Sequence, residues 1–359
     1  MFSLKMRLES RQNLEIMYAL NIITMYSSLG ECNFKHFPWL IESLVSLMNE
    51  SIQGFIDDQA PVSPEIHLTY KQLYQITSQM STTMTPTQVR QYDLHEQRAI
   101  AIGQILRNCS FLPENASIFA VHPGVLGIIY NTSNLPISAE IMTAYTTYDA
   151  FMPVSYTLEH RKNALVLLSN IASQTKLPSQ SFTDLIISML SDFIPHTMFK
   201  YSACETLAKL LINESNSPVF HSLRILEIFS VVIESLPSTL VRSSTYEELA
   251  YYEFAFIALL KLSQLGTPGT QRELLVNFGR RLFCFCIYDV NREMDTMRER
   301  AMQVLVICSG TNRSPGHLLK PEFVHECEEF AIRIVMTYRE PGISWMASLA
   351  AKFLANLNN

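Results

Sequence analysis

The sequence predicts an all-α fold, an α-solenoid of about six to seven helical repeats with irregular insertions, and three observations predict it. The first is the stretch His160–Ala172, where Ala164, Leu168 and Ile171 fall at i, i+4 and i+7 on one helix face. Leu165, Leu167 and Ala172 widen that face until the helix is apolar over most of its girth, and such a helix must be covered on nearly all sides. The second is that the pattern recurs. With the small residue as position zero, apolar residues stand at plus four and plus seven, and a small or apolar one at plus eight. Ala19-Ile23-Tyr26-Ser27, Ala203-Leu207-Leu210-Leu211, Ala255-Leu259-Leu262-Ser263 and Ala301-Leu305-Cys308-Ser309 all fit. Ile102-Leu106-Cys109-Ser110 fits with Ile for Ala, and Ala350-Leu354-Leu357 is a truncated last copy. From Ala164 onward the copies stand 39, 52, 46 and 49 residues apart. The third is punctuation: Pro218, Pro237, Pro268, Pro315, Pro321 and Pro341 fall at junctions between apolar runs, where proline is tolerated. These spacings bracket the ~40–47 residues of armadillo or HEAT units.

Taken in order, residues 5–28 read as one amphipathic helical region, and 38–56 as its partner, opened by Pro38. From Asp57 to about Thr87 a Pro, Ser, Thr, Gln and Met mixture breaks the periodicity. Residues 57–90 therefore read as an inserted loop, with room for a short helix over Leu68–Ile76. A helix over 91–111 follows, then 114–121 after the Leu112-Pro113 turn, and a short apolar segment over Val125–Tyr130. Residues 131–156 form a second insertion, with a helix expected around 138–148. The Ala164 helix comes next, with Phe182–Phe193 packing back on it. The alternation then runs through 197–213, 217–235, 245–265, 269–288, 292–309, 321–338 and 342–357. No strand-period segment of convincing length is present.

With 359 residues and 48% hydrophobic content, the chain can bury a large core, and a mean hydropathy of +0.12 excludes general disorder. Such a length suggests two or three domains. A solenoid grows along one axis and needs no breaks, so 1–359 is read as a single array. The formal charge of −6 supplies no net field for tracking phosphates. Seven cysteines show no paired spacing; Cys109, Cys204, Cys284, Cys286 and Cys308 lie in apolar segments and read as buried small hydrophobes in a reducing compartment. No apolar run reaches a membrane span, and no signal peptide opens the chain. Sequons such as Asn115-Ala116-Ser117 read as chance matches.

Catalytic signatures are missing. His95-Glu96 lacks the second His of a zinc helix, Gly266-Thr-Pro-Gly269 lacks the Lys of a phosphate loop, and no Gly-x-Ser-x-Gly elbow occurs. The acidic cluster Glu326, Glu328 and Glu329 reads as a solvated helix face, and His36, His122, His196 and His325 as structural. No catalytic residue, metal ligand or cofactor is assigned, and the chain reads as a non-enzyme. Lys5, Arg7 and Arg11, and Arg280 with Arg281, lie near acidic residues without aromatic or glycine interleaving, so they too read as solvated faces. One polar feature recurs: Asn108, Asn170, Lys209 and Lys261 stand at plus six. Stacked in parallel, they would form a ladder able to hold a partner's main chain. The other reading is that each caps its own repeat turn.

A family resemblance now enters. Ala164–Ala172 resembles the armadillo third-helix consensus. Ile105-Leu-Arg-Asn-Cys-Ser-Phe-Leu-Pro-Glu-Asn115, followed by His122-Pro-Gly-Val-Leu126, resembles the C-terminal core-binding region of the ARID-bearing subunit of SWI/SNF-type chromatin remodellers, the BAF/Osa class. Ser3-Leu-Lys-Met-Arg-Leu-Glu-Ser-Arg11, Tyr18-Ala-Leu-Asn-Ile22 and Phe37-Pro-Trp-Leu-Ile-Glu-Ser-Leu44 match that region's opening in order and spacing. The match is strong over 3–50 and 97–130, looser over 160–190 and 298–309, and its divergence is of a fungal kind. A sister remodeller class carries a similar array. The resemblance implies a nuclear, non-catalytic scaffold that holds other core subunits and a helix of the ATPase, without nucleic acid, membrane or small-molecule substrate. Nothing resembles the ARID, so the chain is expected to be part of a larger subunit. Arg107, Asn108, Asn170, Lys209 and Lys261 are the expected partner-binding residues. Replacing Asn108 and Asn170 by Ala is expected to weaken subunit capture with the thermal midpoint nearly unchanged. The alternatives are an armadillo-type peptide or cargo receptor outside chromatin, and a helical enzyme with a dispersed site.

Overall fold

Wherever an apolar face recurs at helical spacing, a helix forms. The structure, a computed structural model, describes residues 2–58, 65–66, 68–81, 94–135, 137–138, 148–196, 198–220, 224–237, 245–287, 295–310, 319–337 and 344–358. Among the described residues it is all-helical apart from one two-residue strand pair. The chain divides into two compact units, Met1–Asp192 and Phe193–Asn359.

Unit 1 holds α1 (Phe2–Leu8), α2 (Asn13–Ser28), α3 (Pro38–Asp58), α4 (Tyr70–Ser81), α5 (Leu94–Cys109), α6 (Pro113–Val121), α7 (Pro123–Ser133) and α8 (Tyr148–Ile171). It also holds all but the last residue of α9 (Gln180–Phe193). The helices carrying the repeated pattern pack on one another in sequence, α2 on α5 and α5 on α8, while α3, α4 and α7 cover them from the side. Unit 2 holds α10 (Lys200–Ile212), α11 (Ser217–Phe220), α12 (Ile225–Ser235), α13 (Tyr246–Leu265), α14 (Pro268–Ile287), α15 (Asp295–Gly310), α16 (Pro321–Thr337) and α17 (Ser344–Asn358). The same relation holds there: α10 packs on α13, α13 on α15 and α15 on α17. Proline opens α3, α6, α7, α14 and α16, where the first turn needs no N–H from it. Helix α13 begins with a capping box, in which Thr245 accepts from Glu248 N–H while the Glu248 carboxylate accepts from Thr245 N–H.

Every position-zero residue is buried, from Ala19 to Ala350. So are the plus-four and plus-seven residues of every internal copy, whereas Tyr26 in the first copy is exposed and Leu354 in the last is half-buried.

Four local expectations change. The helix expected over 5–28 is two helices, because Arg11 takes a left-handed φ of 60° and the Ser10 hydroxyl accepts from Gln12 N–H at the break. The segment expected over 217–235 is not one helix, because Arg224, just before α12, leaves the helical region at φ −74° and ψ 68°. Within the 57–90 insertion, α4 runs on to Ser81 and buries Tyr70, Leu73 and Ile76. Finally, Glu65–Ile66 pairs antiparallel with Ile137–Ser138, so the two expected insertions meet in one short ladder. The rest of the helix expected around 138–148 lies almost wholly outside the described residues.

Candidate partner-binding surface

The expected partner-binding residues of unit 1 come together along the C-terminal ends of α2, α5 and α8. Asn108 on α5 donates from Nδ2 to the Ser27 hydroxyl of α2 at 3.3 Å. Asn170 on α8 donates from Nδ2 to the Ser110 hydroxyl, just past α5, at 2.8 Å. In repeat terms, the plus-six amide of one helix clips the plus-eight serine of the preceding one. Unit 2 repeats the clip at its end, where Asn356 Nδ2 reaches Ser309 Oγ at 3.1 Å and Val306 O at 3.3 Å. Each serine donates its own proton to the carbonyl three residues back: Ser27 to Thr24, Ser110 to Arg107 and Ser309 to Val306. A hydroxyl that has donated backward has lone pairs left to accept. The clip explains why Asn stands at plus six only where the preceding copy carries Ser at plus eight. Before Lys209 and Lys261 that position holds Ala172 and Leu211, which can accept nothing.

A second buried amide recurs at plus thirteen. Asn115, fully buried, donates to Cys109 O at 3.1 Å, and Asn216, also fully buried, donates to Leu210 O at 3.3 Å. Both bond a carbonyl in the last turn of a helix, Cys109 O also accepting from Leu112 N–H at 3.2 Å. This burial also removes the Asn115 sequon from any surface. The recurrence of Asn at that offset was the sequence signal for it.

Arg107 is the hub of the unit 1 strip. Its Nε and one terminal nitrogen donate to Asn108 Oδ1 at 3.4 and 3.2 Å, and the other terminal nitrogen donates to Asn163 Oδ1 at 3.0 Å. Its carbonyl takes the Ser110 hydroxyl at 2.6 Å. A guanidinium carries five N–H donors in a fixed fork, so this half-buried group keeps two for another acceptor. Among the described residues no carboxylate pairs with it. The remaining expected residues lie in unit 2. Lys209 pairs with Glu205 one turn back on α10 at 2.9 Å, and Lys261 sits half-buried on α13.

Most members of the basic and acidic clusters bond locally, while Arg11 is exposed. Lys5 pairs with Glu9, and Arg7 with Glu15 while lying over the Tyr18 ring. Arg280 pairs with Glu326 at 2.7 Å, and Arg281 donates to Leu236 O at 2.7 Å. His325 lies against Glu328 and Glu329 on an exposed face. Among the described residues no three His, Cys, Asp or Glu side chains gather where a metal could sit, and no helix is long and apolar enough to cross a membrane. A groove of about 580 Å³ opens between α6, α7 and the start of α9, floored by Leu126 and Gly127 with Tyr130 stacked on Phe182.

No family model matches the chain, and no curated protein matches it. Among solved structures, two engineered proteins from a structural genomics consortium are similar at a distance. One is 14% identical with a TM-score of 0.44, over 80% of this chain and 96% of its own. The other is 13% identical with a TM-score of 0.43, over 99% of this chain and 88% of its own. Likeness at that level bears no weight for function.

Proposed function

We propose that this chain is a non-catalytic, armadillo-type scaffold that holds core subunits of a SWI/SNF-type nucleosome remodeller in the nucleus and helps to dock its ATPase. One observation carries the reading. The segment with the family resemblance, Arg107-Asn108-Cys109-Ser110 and Asn115, is also the segment that presents a rigid cation with donors to spare. Two asparagines hold the Arg107 guanidinium in place, so it meets a partner carbonyl or carboxylate at little further entropic cost. The stacking of pattern-bearing helices within each unit supports an array, since such repeats bury one another and leave a long surface for partners.

The test is a tagged capture from nuclear extract at moderate salt, read by mass spectrometry. Remodeller core subunits and the ATPase should be recovered, and Arg107→Ala should lower their yield; losing its bonds to Asn108 and Asn163 should lower the thermal midpoint too, so the yield is read well below that midpoint. Recovery of transport cargo instead, or of nothing, would sink the proposal and favour a cargo receptor. Asn108→Ala and Asn170→Ala now carry a different expectation from the one the sequence suggested. Each loses an inter-helix clip worth about 0.5–1.5 kcal/mol, so the midpoint should fall along with capture.

A further inference from the structure

Cys32 and Cys109 are far apart in sequence and together in space. Cys32 lies in the loop between α2 and α3, Cys109 is the last residue of α5, and each is 1% exposed. One amide nitrogen holds both backbones: Asn115 Nδ2 donates to Cys32 O at 2.8 Å and to Cys109 O at 3.1 Å. Asn115 Oδ1 accepts from Phe34 N–H at 2.8 Å, which pins the loop on the far side of Cys32. The two thiols lie within interaction reach of each other.

We propose that Cys32 and Cys109 form a redox-sensitive pair, which a low-molecular-weight disulfide such as oxidised glutathione converts into an intramolecular disulfide. The pair is asymmetric. The hydrogen bond from Cys109 holds the Cys32 thiol below its ordinary value against the opposing effect of burial, while the same bond and burial push Cys109 up. Burial pushes the other five cysteines up, and none of them has a second thiol hydrogen-bonded to it. Cys32 is also close to solvent along the chain, since Gly30, at a left-handed φ of 73°, and Glu31 are both exposed. Local opening of this loop presents Cys32 without unfolding the helices.

The Cys32 thiolate attacks one sulfur of the small disulfide and expels a thiolate, leaving a mixed disulfide on Cys32. Cys109 then loses its proton and attacks the Cys32 sulfur, expelling the second thiolate. Two electrons pass from the protein thiols to the small disulfide, and the two protons go to the released thiolates. The product ties the α2–α3 loop to the end of α5, beside the Arg107 strip.

The experiment is incubation of the full chain with oxidised glutathione at neutral pH, acid quench, alkylation and peptide mass spectrometry. The expected result is a linked peptide pair containing Cys32 and Cys109, roughly tenfold more abundant than any other disulfide and reversed by a thiol reductant. In Cys109→Ser the glutathione adduct should persist on Cys32, and in Cys32→Ser the remaining Cys109 should stay unmodified. Modification of half-buried Cys284 before Cys32, or no linked pair in the unsubstituted chain after Cys284 has reacted, overturns the proposal.

Discussion

Helix α8 carries polar side chains where its apolar periodicity would place core: Thr157, His160, Arg161 and Asn163 are all buried. His160 is the extreme case. Its ring meets Tyr156 edge-on at 4.2 Å, and the small space beside it is lined by Met48, Leu106, Ile128, Ile129 and Asn163 without a charged group. Burial in those surroundings holds the imidazole neutral, moving it from 6.5 to about 3. The unfolded chain takes up a proton below its ordinary value while the folded chain refuses it down to about 3. Stability from this group is therefore full above that ordinary value and declines as pH falls toward 3. Between pH 7 and pH 5 the loss should be roughly 2 kcal/mol. Urea midpoints of the unsubstituted chain and of His160→Leu check this, since the variant should show that much less pH dependence. Equal slopes would mean that His160 is solvated.

At the scale of elements, α4 shows how a helix with a narrow apolar stripe is held by its neighbours. Its first turn offers N–H groups to the Asp192 carboxylate, which accepts from Tyr70 N–H across 122 residues of sequence. Arg161 donates to Leu68 O just before the helix, across 93 residues. Burial, and then Tyr74, Glu159 and Asp192, push the Tyr70 phenol up to about 12, while burial pulls Arg161 down with Asp192 opposing. A buried cation, an acid and a helix start thus satisfy one another. Removing the acid by Asp192→Ala strips a charge-assisted bond of about 1.5–3 kcal/mol and leaves Arg161 buried without it. Amide exchange over Tyr70–Gln75 should accelerate roughly tenfold or more, while the amides of α13 keep their rates. Uniform acceleration through both helices would show that α4 is not separately anchored.

Across the whole molecule, 33 acidic against 27 basic side chains leave a net charge of −6, and the basic clusters are engaged with neighbouring carboxylates and carbonyls. Phosphate binding needs cations whose counterions can be exchanged, and Lys5, Arg7 and Arg280 already face carboxylates. Labelled duplex DNA at physiological salt should therefore show no anisotropy rise with micromolar protein. A tight rise that fades steeply with added salt would contradict this and point to a direct chromatin contact.

The repeated apolar pattern, the helix order and the junctions at Pro218, Pro237, Pro268 and Pro321 were legible in the sequence because they are local, while Pro315 and Pro341 lie outside the described residues. Burial at i, i+4 and i+7 is dictated by helix geometry, and proline's missing N–H acts within one turn. The seven position-zero residues, all buried, follow from that alone. What the polar residues do was decided by tertiary structure. Asn108 and Asn170 find serines 81 and 60 residues away, so the choice between partner ladder and repeat cap was open until helix packing brought donor and acceptor together. The anchoring of α4 and the meeting of Cys32 with Cys109 have the same cause. Each depends on which backbones approach within about 3 Å, a distance that only the folded chain sets.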